Sequence, residues 1–345
     1  MIQIAFINDA LKQNIRLDGR GFLDYRDVEL VLSRTESSSI AEVCIGSSRV
    51  ISTVYGDIVP PYPDRPSEGI INFNAEISMK GEALGLTTLE ITRLLEKTIK
   101  ESNAIDIETL CLISGDKVWR ITCSISVIDC DGGNVIDATI LATMAALRAF
   151  RKCEVTLNSQ GFNVKTNTPM TSLTIHSSDE REPLPLALHH TPLSITLGVF
   201  KLYDMTSIES QSILLIADPS NEEETWMNGA LQFCINAHGE ICVVNKKGEI
   251  GIKPSIIINA AQLASDRAKL LHNILQQALY KLDQATIEER SIRIEKMRQL
   301  RMKQEQYQQY NTTEMSIDDN SNKLDENDEL LNFSLLHKSV GIREE

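Results

Sequence analysis

No stretch of this 345-residue chain is apolar for the roughly 18 residues that a membrane-spanning helix needs. The opening residues, Met1 to Asp9, lack the basic flank, long apolar core and small-residue cleavage site of a secretory leader. A cytosolic or nuclear setting without membrane contact is therefore expected. Cysteine is sparse: seven residues, odd in number, scattered and never in a CxxC pair, which speaks against a disulfide framework and fits reduced packing residues. The six histidines show no metal-ligand spacing with cysteines or acids, so neither a metal nor a cofactor is expected. Basic charge is short as well, at 34 Lys and Arg against 48 Asp and Glu. The net charge of −14 argues against a protein that coats nucleic acid over its whole surface, but leaves room for a local basic groove. Residues 311–345 carry −6 of that charge, so the body is only mildly acidic.

What is present describes a globular α+β chain. Val28, Leu30 and Leu32 alternate with Glu29, Val31 and Ser33, as do Ala41, Val43 and Ile45 with Glu42 and Cys44, and the runs Arg49 to Val59 and Ile70 to Ile77 read as further strands. Four such runs broken by Gly and Pro predict a β-meander. A helix is then expected from Thr87 or Thr88 to about Asn103, with Ile91, Leu94, Leu95 and Ile99 on one face. Val118 to Ile128 reads as a strand, Asp131-Gly-Gly-Asn134 as a turn, and Val135 to Phe150 as an alanine-rich helix fit for close packing between layers. Strands are expected again at Leu193 to Phe200, Ser212 to Ala217, Ala230 to Asn236 and Glu240 to Asn245. A helix from about Ala260 follows, carrying Leu263, Leu270, Leu271, Ile274 and Leu275. Strands followed by helices, twice over, suggest two similar halves. Lys281 to Tyr310 is charged and helix-prone, either a solvated extension or an arm for RNA or a partner. The segment beyond is polar and acidic and is expected to be disordered, with Leu330 to Leu336 as a possible docking motif.

Several blocks in this order resemble a known family. Arg16-Leu-Asp-Gly-Arg20 with Asp24-Tyr-Arg26, Ala104 to Cys111 with Ser114 to Trp119, Asp129 to Ala138, and Glu180 to Leu186 with His189-His190-Thr-Pro192 are similar to RNase PH-family subunits of the eukaryotic RNA exosome ring, the polymyositis–scleroderma autoantigen class. After Pro192 the resemblance rests on the order of elements. It implies an RNase PH fold of two βαβ-type halves, at 1–153 and 154–285, followed by a charged helical extension and acidic tail at 286–345. It further implies a ring with other RNase PH-like subunits, RNA-binding cap subunits and associated hydrolytic nucleases. Single-stranded RNA would be handled in rRNA processing and mRNA decay, in nucleus, nucleolus and cytoplasm.

Phosphorolysis requires groups that hold a phosphate and carboxylates near the scissile bond. Active relatives place a hydroxyl and an arginine after the Gly-Gly turn. Here Asn134 and Val135 stand in those positions, and Leu86 stands near the place of a further arginine. Of the acidic run those relatives carry, Asp218 and Glu223 persist and Glu224 replaces an aspartate, but Ser220 and Ala230 have lost their acids. Glu222 to Glu224 read as a solvated loop rather than a metal site. No catalytic residue is therefore assigned, against the alternative of an active phosphorolytic 3′→5′ exoribonuclease or a free-standing binding module. RNA contact is expected instead from Arg120 and Lys117, by resemblance to archaeal relatives, although Asp116 stands where those carry another arginine. Arg93, Lys97 and Lys100 form a basic helix face that is either solvated or RNA-facing.

Overall fold

A computed structural model describes residues 9–77, 88–163, 168–178, 180–202 and 212–315. The expected features at Leu86, Thr87 and Leu330 to Leu336 lie outside these residues, as does most of the acidic tail. The chain divides into a unit Met1–Thr286 and a unit Ile287–Glu345.

In the first unit, strands β1 (Val28–Arg34), β2 (Ser38–Ile45) and β3 (Ser48–Val59) form the expected meander. The fourth run, β4 (Ile70–Ile77), departs from it. It pairs in parallel with β6 (Lys117–Asp129), which itself runs antiparallel to β3, while the short β5 (Cys111–Ile113) adds to β6, so the sheet order is β1-β2-β3-β6-β4. A parallel pair needs a crossover, and helix α1 (Thr88–Leu95) with the π-turn Glu96–Lys100 supplies it. Ala41, Val43, Val50, Val54, Ile121, Cys123 and Ile125 line the buried face of this sheet.

Helix α2 (Val135–Ala149) packs against that sheet and against a strand of the second half, Leu193–Leu202, and every one of its residues but Ile136 and Arg148 is buried. Its alanines let two layers approach from both sides, as their spacing predicts. Between the halves lie the short pair β7 (Arg151–Lys152) and β10 (Leu184–Pro185), and the hairpin β8 (Val155–Asn163) and β9 (Thr168–Ile175), none of which the alternation announces. The second sheet is antiparallel throughout, in the order β12-β11-β13-β14, from β11 (Leu193–Leu202), β12 (Ser212–Ala217), β13 (Gly229–Ile235) and β14 (Ile241–Gly248). Helix α3 (Asn221–Trp226) sits between β12 and β13 in the chain.

Helix α4 spans Pro254–Met315. Within the first unit its buried stripe is Ala260, Ala264, Ala268, Leu271, Leu275 and Leu279, at helical spacing. Leu270, among the apolar residues that the sequence places on this helix, is exposed. Alanines fill the seam there, and their small weight hides the phase of the helix from a reading that follows leucines. In the second unit, Ile287, Ile292, Ile294, Leu300 and Met302 are exposed on the helix.

Candidate functional site

The Gly-Gly turn joins β6 to α2 and brings residue 134 against the second half. Gly132 leaves no room for a side chain, since a Cβ there would meet the Ser48 nitrogen at 2.8 Å. Asn134 is left-handed, at φ 53°, a conformation asparagine tolerates better than most residues. It is 3% exposed, with both its nitrogens engaged: Nδ2 donates to Asp218 Oδ1 at 2.7 Å and the backbone N–H to Glu224 Oε1 at 2.8 Å.

Asp218 is the hub of the cluster. Arg26 donates from Nη2 to Oδ1 and from Nε to Oδ2, both at 2.7 Å, and its backbone N–H reaches Oδ2 at 3.0 Å. Arg20 Nη1 adds a bond to Oδ2 at 2.9 Å. Burial works to raise the pKa of Asp218, but the bonds and charge of Arg26 outweigh it and bring it down to about 2. One turn into α2, the buried Asp137 carboxyl accepts from Ser194 Oγ and from the Thr196 N–H and Oγ1 at 2.6–2.7 Å. Its pKa is pushed up by burial against those bonds.

The acids next in sequence do not form a solvated loop. They lie on α3, where Ser220 and Glu223 make a reciprocal capping box. Glu223 is buried because Arg16, itself 2% exposed, grips it with Nε at 3.0 Å and Nη2 at 2.7 Å. Arg16 also donates to the Gly21, Asp24, Ala217 and Asp218 carbonyls. Glu224 faces a cleft of about 230 Å³. Val135, Ile136, Met227 and Ala230 give that cleft apolar walls, and Gln232 and Asn245 give it neutral polar ones. Its cation, Lys247, is paired with Glu90 of α1. Burial drives the Glu224 carboxyl up to about 7, only partly opposed by its bond from Asn134.

Arg16, Arg20 and Arg26 went unassigned when the chain was read as a string, although three arginines within eleven residues around a Gly turn were in plain view. Their partners are 192 to 207 residues away, a separation no local pattern bridges.

The residues expected to contact RNA lie elsewhere. Arg120 stands on β6 directly opposite Asp57 of β3, its side chain 40% exposed, with Nη2 at 3.2 Å from Asp57 Oδ2. Lys117 begins the same strand, half-buried. Arg93, Lys97 and Lys100 are all exposed on α1 and the π-turn. The helix expected to reach Asn103 is α-helical only to Leu95 and then widens into the π-turn. Lys100 lines a groove of about 70 Å³ at the edge strand β4 together with Tyr62, Arg65 and Ile70. Ile70 is the register partner of Arg120, so one strand separates Arg120 from this groove. Tyr62, 58% exposed, and Arg65 add a stacking surface and a cation that the sequence reading missed.

Comparison with known proteins fits this geometry. Residues 24–152 match the first domain of the 3′ exoribonuclease family and residues 190–267 its second domain. Over 79% of its length the chain is 34% identical to the exosome complex component RRP45A of Arabidopsis thaliana, covering 85% of that protein. It is 33% identical to rrp45 of Schizosaccharomyces pombe and 31% to RRP45 of Saccharomyces cerevisiae, covering 88% of each. Among solved structures, a chain of an archaeal exosome core superposes with a TM-score of 0.57 at 25% identity, over 80% of this chain and 96% of that one. A chain of the Archaeoglobus fulgidus exosome with RNA bound to the active site gives 0.58, also at 25% identity, over 79% and 97%.

Proposed function

Because the chain belongs to the 3′ exoribonuclease family of RNase PH domains, with exosome components as its relatives, we propose that it is a ring subunit of an RNA exosome that does no phosphorolysis of its own. The observation that carries the second part is the fate of Asp218. In place of an acid free for proton transfer or metal binding there is a carboxylate locked by Arg20, Arg26 and Asn134. The adjoining helix starts with Val135, whose apolar side chain cannot hold a phosphate dianion.

Other RNase PH-like subunits are its ring neighbours. RNA-binding cap subunits and hydrolytic nucleases complete the assembly, which processes rRNA and degrades mRNA in nucleus, nucleolus and cytoplasm. Within it, the chain guides single-stranded RNA through phosphate contacts at Arg120 and Lys117, with Lys100, Arg93 and Lys97 as a second basic strip. Such contacts hold a strand without reading its sequence. Affinity purification of the full-length chain followed by mass spectrometry tests the assembly. Recovery of other RNase PH-like subunits and of cap proteins is expected. Recovery of the chain alone, or as a homomer, contradicts the ring reading. A second reading, a phosphorolytic enzyme, draws on one observation, the open cleft with a carboxyl titrating near neutrality.

A further inference from the structure

The cleft beside α3 keeps the shape of a binding site with altered chemistry. Val135, Ile136, Met227 and Ala230 form its apolar wall, and Thr196, Asn221, Thr225, Gln232 and Asn245 add neutral polar groups. Its charged groups are Glu224, Glu90 and Lys247, and the last two neutralise each other. The nearby guanidinium groups of Arg16, Arg20 and Arg26 are committed to Glu223, Asp218 and backbone carbonyls. An anion entering here meets a carboxylate and no free cation among the described residues. Glu224 spends one oxygen on the Asn134 N–H, and its other oxygen accepts from no described residue. A half-buried carboxyl with one unspent acceptor above apolar walls suits a flat neutral ligand that donates an N–H.

We infer that this cleft binds an amino-bearing nucleobase, of the cytosine or adenine type, through the free oxygen of Glu224, with Val135, Ile136 and Met227 against the ring. The inference rests on the reading that the phosphate anchor is lost. Space suffices, since about 230 Å³ equals the liquid volume of roughly seven waters. Carboxylates accept from the cytosine amine, whereas uracil shows an acceptor at that position and is rejected. Burial keeps Glu224 protonated up to about 7, so discrimination is sharpest above that pH.

The test is methyl NMR of the full-length chain labelled at Met and Ile, at pH 8, with cytidine, uridine, cytidine 5′-monophosphate, inorganic phosphate, and a short RNA ending in cytidine. Cytidine is expected to shift the Met227 and Ile136 signals saturably, with uridine and the monophosphate weaker by roughly tenfold. Glu224→Gln keeps the acceptor for Asn134 and turns an amide N–H toward the cleft, so preference should swing from cytidine to uridine. Equal response to the two nucleosides, or none to either, overturns the inference and leaves the ring reading untouched. Response to the RNA without response to cytidine also overturns it. Tighter binding of phosphate or the monophosphate instead overturns the loss of the phosphate anchor on which the inference rests.

Discussion

Asp218 and Glu224 are two carboxyls six residues apart that their surroundings drive in opposite directions. Two arginines hold Asp218 ionised, and its low pKa of about 2 makes it a source of stability that is full above its unfolded value near 4 and fades as pH falls toward 2. That contribution is about 2 kcal/mol. Asp218→Asn should therefore flatten the loss of stability between pH 4 and 2, read by urea unfolding across that window. Removing a cation should be harsher. Arg16→Ala leaves the buried Glu223 carboxylate without its cation and should cost roughly 3–5 kcal/mol, whereas Arg26→Ala should cost less because Arg20 still pairs with Asp218. Glu224 behaves in reverse. Its folded pKa of about 7 lies above its unfolded value, so the native state binds the extra proton and loses stability as pH rises from 4.5 through 7. Glu224→Gln should melt like the parent near pH 4.5 and gain on the order of 1–3 kcal/mol over it at pH 8. A constant difference across that range would show that burial does not govern this carboxyl. The sequence displayed the substitutions at 134, 135, 220 and 230. It could not display the clasp, because an ion pair between residues 16 and 223 exists only once two halves are folded together.

At the scale of elements, period-two alternation exposed β1, β2, β3, β6 and the four strands of the second sheet nearly to their ends. It gave β4 its bounds but not its partner, since the alternation is the same whether the strand joins a meander or crosses over beside β6. The hairpin β8–β9 was missed because its strands lack a clean apolar face. The pair of Arg120 with Asp57 is exposed on both sides, so it contributes about 0–1 kcal/mol and does not hold the sheet. Arg120→Glu in the assembled ring should leave melting temperature and subunit composition unchanged while weakening single-stranded RNA for every sequence. The slope of affinity against salt should become shallower by about one charge. Lys117→Glu should act in the same sense and less, since Lys117 stands at the strand start beside the turn. Titrations of labelled RNA at two salt concentrations decide it. Unchanged affinity at both removes Arg120 from the RNA path.

For the whole molecule, the family match ends at residue 267, so the second unit, Ile287–Glu345, must be understood from its own composition. Residues 311–345 hold nine acids and three bases. Deleting them should leave the melting temperature and the co-purifying ring subunits unchanged. Loss of those subunits would assign the Leu330 to Leu336 motif to docking. We propose that a site built for phosphorolysis has become a clasp between the two halves of a ring subunit. The most direct test is thin-layer analysis of single-stranded RNA incubated with the purified full-length chain and inorganic phosphate. No nucleoside diphosphate above background is expected. Phosphate-dependent release that co-elutes with the chain and disappears in Glu224→Gln or Asp218→Asn would contradict the proposal.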